Sequence, residues 1–394
     1  DYSDFAAGRI FTISKGLYNI GNKSDIYVTD VATSEVDILF NIEQGRFGAG
    51  NDTLRINSNI IGSDVFKIVI DGNNSTLPSG DTLDLSSLTT GIKIISDPTD
   101  KNSAQLITTS ASPDNASLNM QLGQAPTNSS QDTVHFTNFE TIIGTAQRDV
   151  LNLANIRPGG APTAAEQVQI DAAYAAFYAT VAGTVPTTVY NQAVSTLVAT
   201  LGALRPYQST LTADLGAGND IGQASNIGIS TVNGGTGVDV LLAGEYMSTL
   251  NGGDDTDWLI GGGLESHLVG GEGADLFTVA NKTFIDDAGY DDFVTAGGFR
   301  LHGGVQQWWM ENGFAYYTPS TSLISGALGA FGSVFTAASV LFDAALLSIV
   351  GVRYALSQSG QLVMQFARGR GGQAVLQDYK TDADTGESTG HITV

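Results

Sequence analysis

The sequence predicts a mainly β protein that is built in part from a small stacked repeat. Between residues 232 and 277 an aliphatic or aromatic residue recurs every nine positions, at Val232, Leu241, Leu250, Leu259, Leu268 and Phe277. A short fixed period of this kind indicates one structural unit stacked on itself. Residues 1–156 add short apolar runs separated by Gly, Asn, Asp and Ser, a pattern typical of strands joined by turns.

A turn-like stretch of six residues precedes each recurring apolar position. Three of these stretches are rich in Gly and end in Asp: GGTGVD (234–239), GGDDTD (252–257) and GGEGAD (270–275). Glycine allows such a stretch to turn tightly, so that backbone carbonyls converge, and the final carboxylate adds negative charge. Oxygen ligands of this type suit Ca²⁺, which accepts about six to eight of them at roughly 2.3–2.6 Å. The turns are therefore candidate calcium sites.

This Gly- and Asp-rich nonapeptide pattern resembles the repeat of RTX proteins, the haemolysin-type calcium-binding family. The resemblance implies a parallel β-roll, a form of β-solenoid, in which two nonapeptides make one coil of about eighteen residues. It also implies several bound Ca²⁺ ions and secretion through a one-step (type I) export channel. We therefore expect a parallel β-roll of nonapeptide repeats within a larger β scaffold, with an inserted helical hairpin.

The repeat phase predicts that the two edges of the roll differ. The turn-ending residues Asp239, Asp257 and Asp275 are eighteen positions apart and should share one edge, whereas Ser230, Ser248 and Ser266 should share the other. Asp220 is nineteen positions before Asp239 and joins the Asp edge if one residue is inserted near Ala224. The Asp edge would then hold up to about three calcium ions between turns, and the Ser edge would be poor in metal.

The predicted calcium ligands belong to the four turns of the Asp edge and to a separate repeat copy at 47–56. They are Gly218, Asp220, Gly235, Gly237, Asp239, Gly253, Asp255, Asp257, Gly271, Gly273 and Asp275, together with Asn51 and Asp52. For Asp52, and for Asp149 in a similar segment at 136–153, an ordinary Asx turn is the alternative interpretation.

Four segments are predicted along the chain. They are an N-terminal β region with one repeat (1–156), a helical hairpin insertion (157–208), the calcium-binding β-roll (209–279) and a C-terminal β region with an apolar helix near 322–350. The hairpin is indicated by helical spacing of apolar residues in 164–183 and 189–205, with Pro186 between them. The outward residues of the Asp-side strands are apolar, so we expect another segment or a neighbouring molecule to cover them.

The C-terminal region leaves several alternatives open. The acidic pairs in 284–293 fit solvated loop charges, a further calcium site or acid/base groups, and the aromatic-rich stretch 299–319 fits a β-hairpin core or a sugar- or partner-binding surface. The apolar stretch 321–352 contains Asp343 and many Gly, Ser, Thr and Ala residues, which favours a buried helix or a surface helix over a transmembrane span.

Charge and missing motifs exclude several functions. The chain has 40 Asp and Glu against 17 Lys and Arg, a net charge of −23, which argues against nucleic-acid binding and fits a protein that gathers cations. It has no Cys, so neither disulfides nor thiolate metal sites are possible. The sequence shows no zinc-protease, serine-hydrolase or phosphate-loop motif, and we predict no catalytic residue.

These observations favour a secreted calcium-binding structural or cell-surface protein, such as a surface-layer, sheath or filament subunit or an adhesin. Its expected partners are calcium and either further copies of itself or a cell-surface or extracellular-matrix component. The alternative is the calcium-dependent C-terminal part of a secreted enzyme or toxin. A third hypothesis is an enzyme that acts on polysaccharide through residues 284–317, with Asp287 or Asp291 as the acid/base group.

Overall fold

A computed structural model describes most of the chain up to residue 287 and a series of strands beyond it. The described residues are 8–20, 23–39, 44–48, 50–57, 67–72, 80–96, 104–108, 133–157, 159–182, 187–279, 282–287, 293–296, 299–300, 307–311, 314–318, 352–356, 362–366, 373–376, 380–381 and 388–389. The chain divides into two compact units. Unit 1 comprises 1–167 and 202–248, and unit 2 comprises 168–201 and 249–394.

Unit 1 is formed mainly by short strands. They are β1 (Ile10–Ile20), β2 (Lys23–Asp30), β3 (Val36–Leu39), β4 (Gln44–Arg46), β5 (Thr53–Ile56), β6 (Lys67–Asp71), β7 (Thr82–Asp84), β8 (Ile92–Ser96), β9 (Ala104–Thr108), β10 (Thr133–Thr137), β11 (Thr141–Ile143), β12 (Val150–Asn152), β13 (Thr210–Ala217), β14 (Ile221–Gln223), β15 (Ile229–Thr236) and β16 (Val240–Leu242).

These strands form two sheets within unit 1. The first has the order β3-β2-β1-β5-β7-β11-β13-β15, and the second has the order β4-β6-β10-β9-β8-β12-β14-β16. Pairing is parallel from β1 through β15 in the first sheet and from β8 through β16 in the second. From β11 to β16, successive strands along the chain alternate between the two sheets. Each strand therefore pairs with the next strand but one, as β11 does with β13 and β12 with β14.

The core of unit 1 follows from period-two alternation along these strands. The middle residue of each short strand is apolar and almost fully buried, as at Leu83, Ile142, Leu151, Val232 and Leu241, each with 0% exposure. The residues that flank Ile142 and Leu241 face outward and are only partly buried. Removing these aliphatic side chains from water supplies most of the favourable free energy of folding.

Unit 2 contains a second group of strands. They are β17 (Met247–Asp254), which begins at the end of unit 1, β18 (Trp258–Ile260), β19 (Glu265–Glu272), β20 (Leu276–Val279), β21 (Lys282–Asp287), β22 (Phe293–Ala296), β23 (Phe299–Arg300), β24 (Gln307–Glu311), β25 (Phe314–Thr318), β26 (Val352–Leu356), β27 (Leu362–Phe366), β28 (Gln373–Leu376), β29 (Lys380–Thr381) and β30 (Ser388–Thr389). One sheet order is β17-β19-β21-β28-β27-β26-β25-β24, another is β18-β20-β22-β23, and β29 pairs with β30.

Three helices lie between β12 and β13: α1 (Ala164–Thr180), α2 (Thr187–Gly202) and α3 (Arg205–Gln208). Helix α1 begins with a capping box, because the Glu166 N–H donates to the Thr163 hydroxyl at 3.2 Å and the Thr163 N–H donates to the Glu166 carboxylate at 2.7 Å. Helices α1 and α2 pack through the Phe177 and Tyr190 rings, whose centroids are 6.1 Å apart.

The prediction of a mainly β protein is confirmed, with parallel sheets and few helices. The aromatic stretch forms an antiparallel pair, β24 with β25, in which Trp308 lies opposite Tyr317.

Among the described residues, no helix combines the length and the hydropathy that crossing a bilayer requires. The apolar helix predicted near 322–350 lies outside the described residues, as do Asp291 and Asp292.

Candidate metal centre

Three buried aspartates lie side by side at the N-terminal ends of neighbouring strands in the second sheet of unit 1. Asp149, Asp220 and Asp239 immediately precede β12, β14 and β16, which pair in parallel, and each has 0% exposure. The Asp149 N–H donates to Asp220 Oδ1 at 2.6 Å, and the Asp220 N–H donates to Asp239 Oδ1 at 2.7 Å. We call these three residues the Asp220 row. Each carboxylate thus satisfies a backbone donor of the neighbouring turn.

Glycines bring the neighbouring turns into direct contact beside this row. Gly235 and Gly237 have φ angles of 113° and 114°, in the left-handed region that favours glycine. A Cβ atom at either position would overlap a backbone carbonyl oxygen of the preceding turn, that of Gly216 or Gly218. The predicted ligands Gly218, Gly235 and Gly237 therefore allow carbonyl-bearing backbone to pack closely.

Asp220 carries a buried oxygen that accepts no hydrogen bond within the described part of the chain. Its Oδ2 atom is shielded from solvent, while its Oδ1 atom accepts the N–H of Asp149. Burial, together with the charges of Asp149 and Asp239, raises the pKa of Asp220 to about 8, although the N–H of Asp149 and the charge of Arg148 act in the opposite direction. Burial likewise raises the pKa of Asp149 to about 6. The row therefore favours a proton or a cation beside Asp220.

Unit 2 repeats this arrangement at two predicted ligands. Asp257 and Asp275 precede the paired strands β18 and β20, have 1% and 0% exposure, and are joined by the Asp257 N–H, which donates to Asp275 Oδ1 at 2.8 Å. Gly271 and Gly273 have φ angles of 99° and 145°. A Cβ atom at these positions would overlap the carbonyl oxygens of the preceding turn, those of Gly253 and Asp255, while the Asp255 side chain itself is exposed.

The predicted ligand Asp52 belongs to a different row, at the N-terminal ends of neighbouring strands in the first sheet of unit 1. Asp52, Asp81 and Glu140 immediately precede β5, β7 and β11, and we call them the Asp81 row. The Asp52 N–H donates to Asp81 Oδ1 at 2.7 Å, and the Asp81 N–H donates to Glu140 Oε2 at 2.6 Å. Burial raises the pKa of Asp81 to about 8 and that of Glu140 to about 7. Asn51, beside this row, is only partly buried.

Sequence reasoning missed Asp81 and Glu140, although a local signal marks both. Each acid is followed by Thr and then by an aliphatic residue, as in Asp52-Thr53-Leu54, Asp81-Thr82-Leu83 and Glu140-Thr141-Ile142. The acids are separated by 29 and 59 positions, so a search for a nine-residue period does not find them.

Serines take the corresponding turn position on two later strands, at Ser248 on β17 and Ser266 on β19. The Ser248 hydroxyl accepts the Gly244 N–H at 2.9 Å, and in unit 2 the Ser266 hydroxyl accepts the Gly262 N–H at 3.2 Å. The carboxylates at Asp149 and Asp52 do the same for the N–H groups of Thr145 and Gly48. Serine therefore closes the turn as aspartate does, but it adds no charge.

A metal ion at the Asp220 row would depend on backbone oxygens rather than on a cluster of side-chain ligands. Among the described residues no three or more His, Asp or Glu side chains come together in a way that could hold a metal ion. Backbone carbonyl oxygens and water would therefore have to supply most of the ligands, which Ca²⁺ accepts readily. The buried Oδ2 of Asp220 and the glycine-lined turns match that requirement.

A separate charged cluster joins β19 to β21 in unit 2. His267 Nδ1 lies 2.6 Å from Asp286 Oδ2, His267 Nε2 lies 3.3 Å from Glu265 Oε1, and Lys282 forms an ion pair with Glu265. The imidazole also stacks on the Phe284 ring. Asp286 and then Glu265 raise the pKa of His267 to about 9, and the hydrogen bond from His267, helped by Lys282, lowers the pKa of Glu265 to about 2.

Comparison with known proteins gives no match to a protein-family model and no match to a curated protein.

We predict that Gly237→Ala destabilises the protein far more than Gly262→Ala. Alanine at 237 would need a left-handed φ and would overlap the Gly218 carbonyl oxygen, and backbone strain alone costs about 1–3 kcal/mol. At position 262 an alanine methyl group would have no atom of the described residues within 4 Å beyond its chain neighbours, so this control should change stability by less than about 0.5 kcal/mol. Urea unfolding of both variants measures the difference, and equal losses would contradict the close packing of turns.

We predict that the free energy of unfolding falls as the pH rises from 6.5 to about 9, because over this interval the unfolded chain releases the His267 proton while the folded protein still holds it. The raised pKa of His267 in the folded protein stabilises the fold by its full amount at pH values below 6.5, the pKa in the unfolded chain. This stabilisation decreases as the pH rises and is lost once the pH exceeds the folded pKa of about 9. Urea unfolding in saturating calcium, at pH 6 and at pH 9.5, should show the loss in the wild type and a smaller one in His267→Asn. An unchanged loss in the variant would assign the pH dependence to other groups.

Proposed function

We propose that this protein is a secreted, calcium-binding structural or cell-surface protein whose turn region is a parallel β-roll of the RTX type. Three observations support the roll: the nine-residue phase of the sequence, the alternation of successive strands between two sheets in unit 1, and the parallel pairing of those strands. The same turns supply the acids and the glycines that a file of calcium ions would need.

The buried Oδ2 of Asp220 is the observation that carries the calcium assignment. A buried oxygen without a hydrogen bond costs free energy, and a buried carboxylate near two others costs more. The electrostatic cost grows in a low-dielectric interior, where unit charges a few ångströms apart interact far more strongly than in water. A divalent cation bound between neighbouring turns would satisfy this oxygen and neutralise the row.

Calcium binding to these turns would couple folding to the surroundings of the chain. A site filled at 100 times its dissociation constant adds about 2.7 kcal/mol to the free energy of unfolding. Two or three such sites would add an amount comparable with the whole stability of a domain. The chain would then stay loosely folded where free calcium is scarce, as inside a cell, and would fold where calcium is abundant, as outside it.

The structural or cell-surface role follows from the composition and from the outward surfaces of the sheets. Charged residues are only 14% of the chain, so large uncharged areas are available for contact. Trp258 has 39% exposure on β18, and Val240 and Leu242 on β16 are only partly buried. Partly exposed apolar sheet faces favour association with further copies or with a cell-surface or extracellular-matrix partner.

We predict opposite effects of Asp220→Asn with and without calcium. At pH 9, above the raised pKa of Asp220, asparagine keeps the shape and an oxygen acceptor but removes one buried charge, so the unfolding midpoint should rise in EDTA because repulsion with Asp149 and Asp239 is lost. In calcium the variant should gain less stability than the wild type, because one anionic ligand is missing. Thermal unfolding across a calcium titration measures both effects.

The control for this experiment is Asp171→Asn, which removes the same charge from the exposed surface of α1. It should leave the calcium response unchanged. If Asp220→Asn shifts the midpoint equally in EDTA and in calcium, the Asp220 row only caps backbone N–H groups and the calcium proposal fails.

We predict that calcium, and not magnesium at the same concentration, converts the full chain into assemblies larger than one copy. Smaller Mg²⁺ demands stricter octahedral geometry and gives up its water reluctantly, so it should replace Ca²⁺ poorly at backbone-carbonyl sites. Multi-angle light scattering in calcium, magnesium and EDTA provides the test. A monomer in saturating calcium would contradict the assembly part of the proposal and leave the calcium titration to decide the rest.

A further inference from the structure

Five threonines occupy one register position across adjacent parallel strands of unit 1. Thr53 pairs with Thr82, Thr82 with Thr141, Thr141 with Thr212, and Thr212 with Thr231. The five residues, which we call the threonine row, lie on β5, β7, β11, β13 and β15, although they come from segments as far apart as 53 and 231. Neighbouring strands are about 4.8 Å apart, so the row repeats one side chain at that interval.

The threonine row faces away from the core. Each threonine is followed by a residue of 1% exposure or less, namely Leu54, Leu83, Ile142, Ala213 and Val232, so the threonines lie on the opposite, outward face. The threonines themselves are only partly buried. Within the described part of the chain their hydroxyls form no hydrogen bond, so they are available to a ligand.

The outward positions two residues further along are different, because several of their polar groups bind one another. Arg55 and Asp84 form an ion pair at 2.9 Å, and the Asn233 amide donates to the Asp214 carboxylate. The threonine row therefore offers a repeated set of hydroxyl groups, each beside a methyl group and none carrying charge.

We propose that the threonine row binds the ordered water lattice at the surface of ice. A ligand that repeats at a fixed short interval suits a surface that does the same, and the backbone ladder holds the hydroxyls at that interval without further cost in side-chain order. The spacing is close to the repeat of water oxygens along one axis of hexagonal ice. Threonine methyl groups fill the spaces between the hydroxyls and exclude mobile water.

Neither sheet stability nor a protein or sugar partner accounts for the row as well. Threonine pairs stabilise sheets, but Val or Ile would do so equally, and sheet stability alone does not require the same hydroxyl on five successive strands. A protein or sugar partner is normally held by aromatic or Arg anchors in a pocket, and the row supplies neither. Ice binding goes beyond the calcium-binding function and rests on different residues.

The test is inhibition of ice recrystallisation, together with the shaping of single ice crystals, by the full chain in calcium-containing buffer. The wild type should keep ice grains small and should impose facets on a growing crystal. Thr141→Tyr places a large ring in the centre of the row and should abolish both effects, and Thr212→Lys should do the same by adding a hydrated charge. Two chemically different variants keep the test valid if one of them folds poorly.

Thr200→Tyr is the matched control, because Thr200 is exposed on α2 and lies outside both the threonine row and the acidic turns. This variant should retain the wild-type effect on ice, and thermal unfolding should show all the compared variants to be folded.

A wild type that acts on ice no more than an inert protein of equal concentration overturns the proposal, as does a full effect on ice in both row variants. Binding to insoluble cellulose or chitin without any effect on ice would instead assign the row to a glycan. Neither result bears on the calcium titration of Asp220→Asn, so the two proposals fail separately.

Discussion

The hydrogen bond from the backbone of one turn to the carboxylate of the next is the interaction on which the parallel stack depends. At the edge of a sheet the chain leaves its strand, and the N–H of the residue before the strand loses its regular partner. Asp220 and Asp239 supply that partner at 2.6 and 2.7 Å in the second sheet, and Asp81 and Glu140 supply it at 2.7 and 2.6 Å in the first. A buried amide left without an acceptor costs about 1–3 kcal/mol, so every such residue fixes the position of its neighbour.

Because carboxylates accept these backbone N–H groups, negative charge accumulates inside the protein. A charge-assisted hydrogen bond is stronger than a neutral one, but each added carboxylate lies near the one before it, and burial prevents water from screening them. The pKa values of Asp81 and Asp220, raised to about 8, express that balance. Ser230, Ser248 and Ser266 avoid it, because a hydroxyl closes its own turn without charge. Repulsion between buried carboxylates therefore arises where the turns are acidic and not where they end in serine.

Local periodicity was sufficient to predict the mainly β class and the turn residues from Asp239 to Asp275, because those repeats follow one another without interruption. It was insufficient in the first half of the chain. There, Asp81 and Glu140 join Asp52 in one row across gaps of 29 and 59 residues, and helices α1 to α3 separate β12 from the strand β14 with which it pairs. Strands that pair across insertions follow no fixed period in the sequence. Only the repeated acid-Thr-aliphatic order indicates that these strands are neighbours.

That three-residue order also explains how one short strand can carry three separate tasks. In Asp81-Thr82-Leu83 the acid caps a neighbouring turn, the threonine faces outward and the leucine fills the core, because successive side chains of a strand point to opposite faces. The tasks are separable. At β13 and β15 the residues that precede Thr212 and Thr231 are Leu211 and Ser230, so the acid is gone while the threonine remains in register. The register of the threonines on the outward face is therefore not tied to an acid at the preceding position.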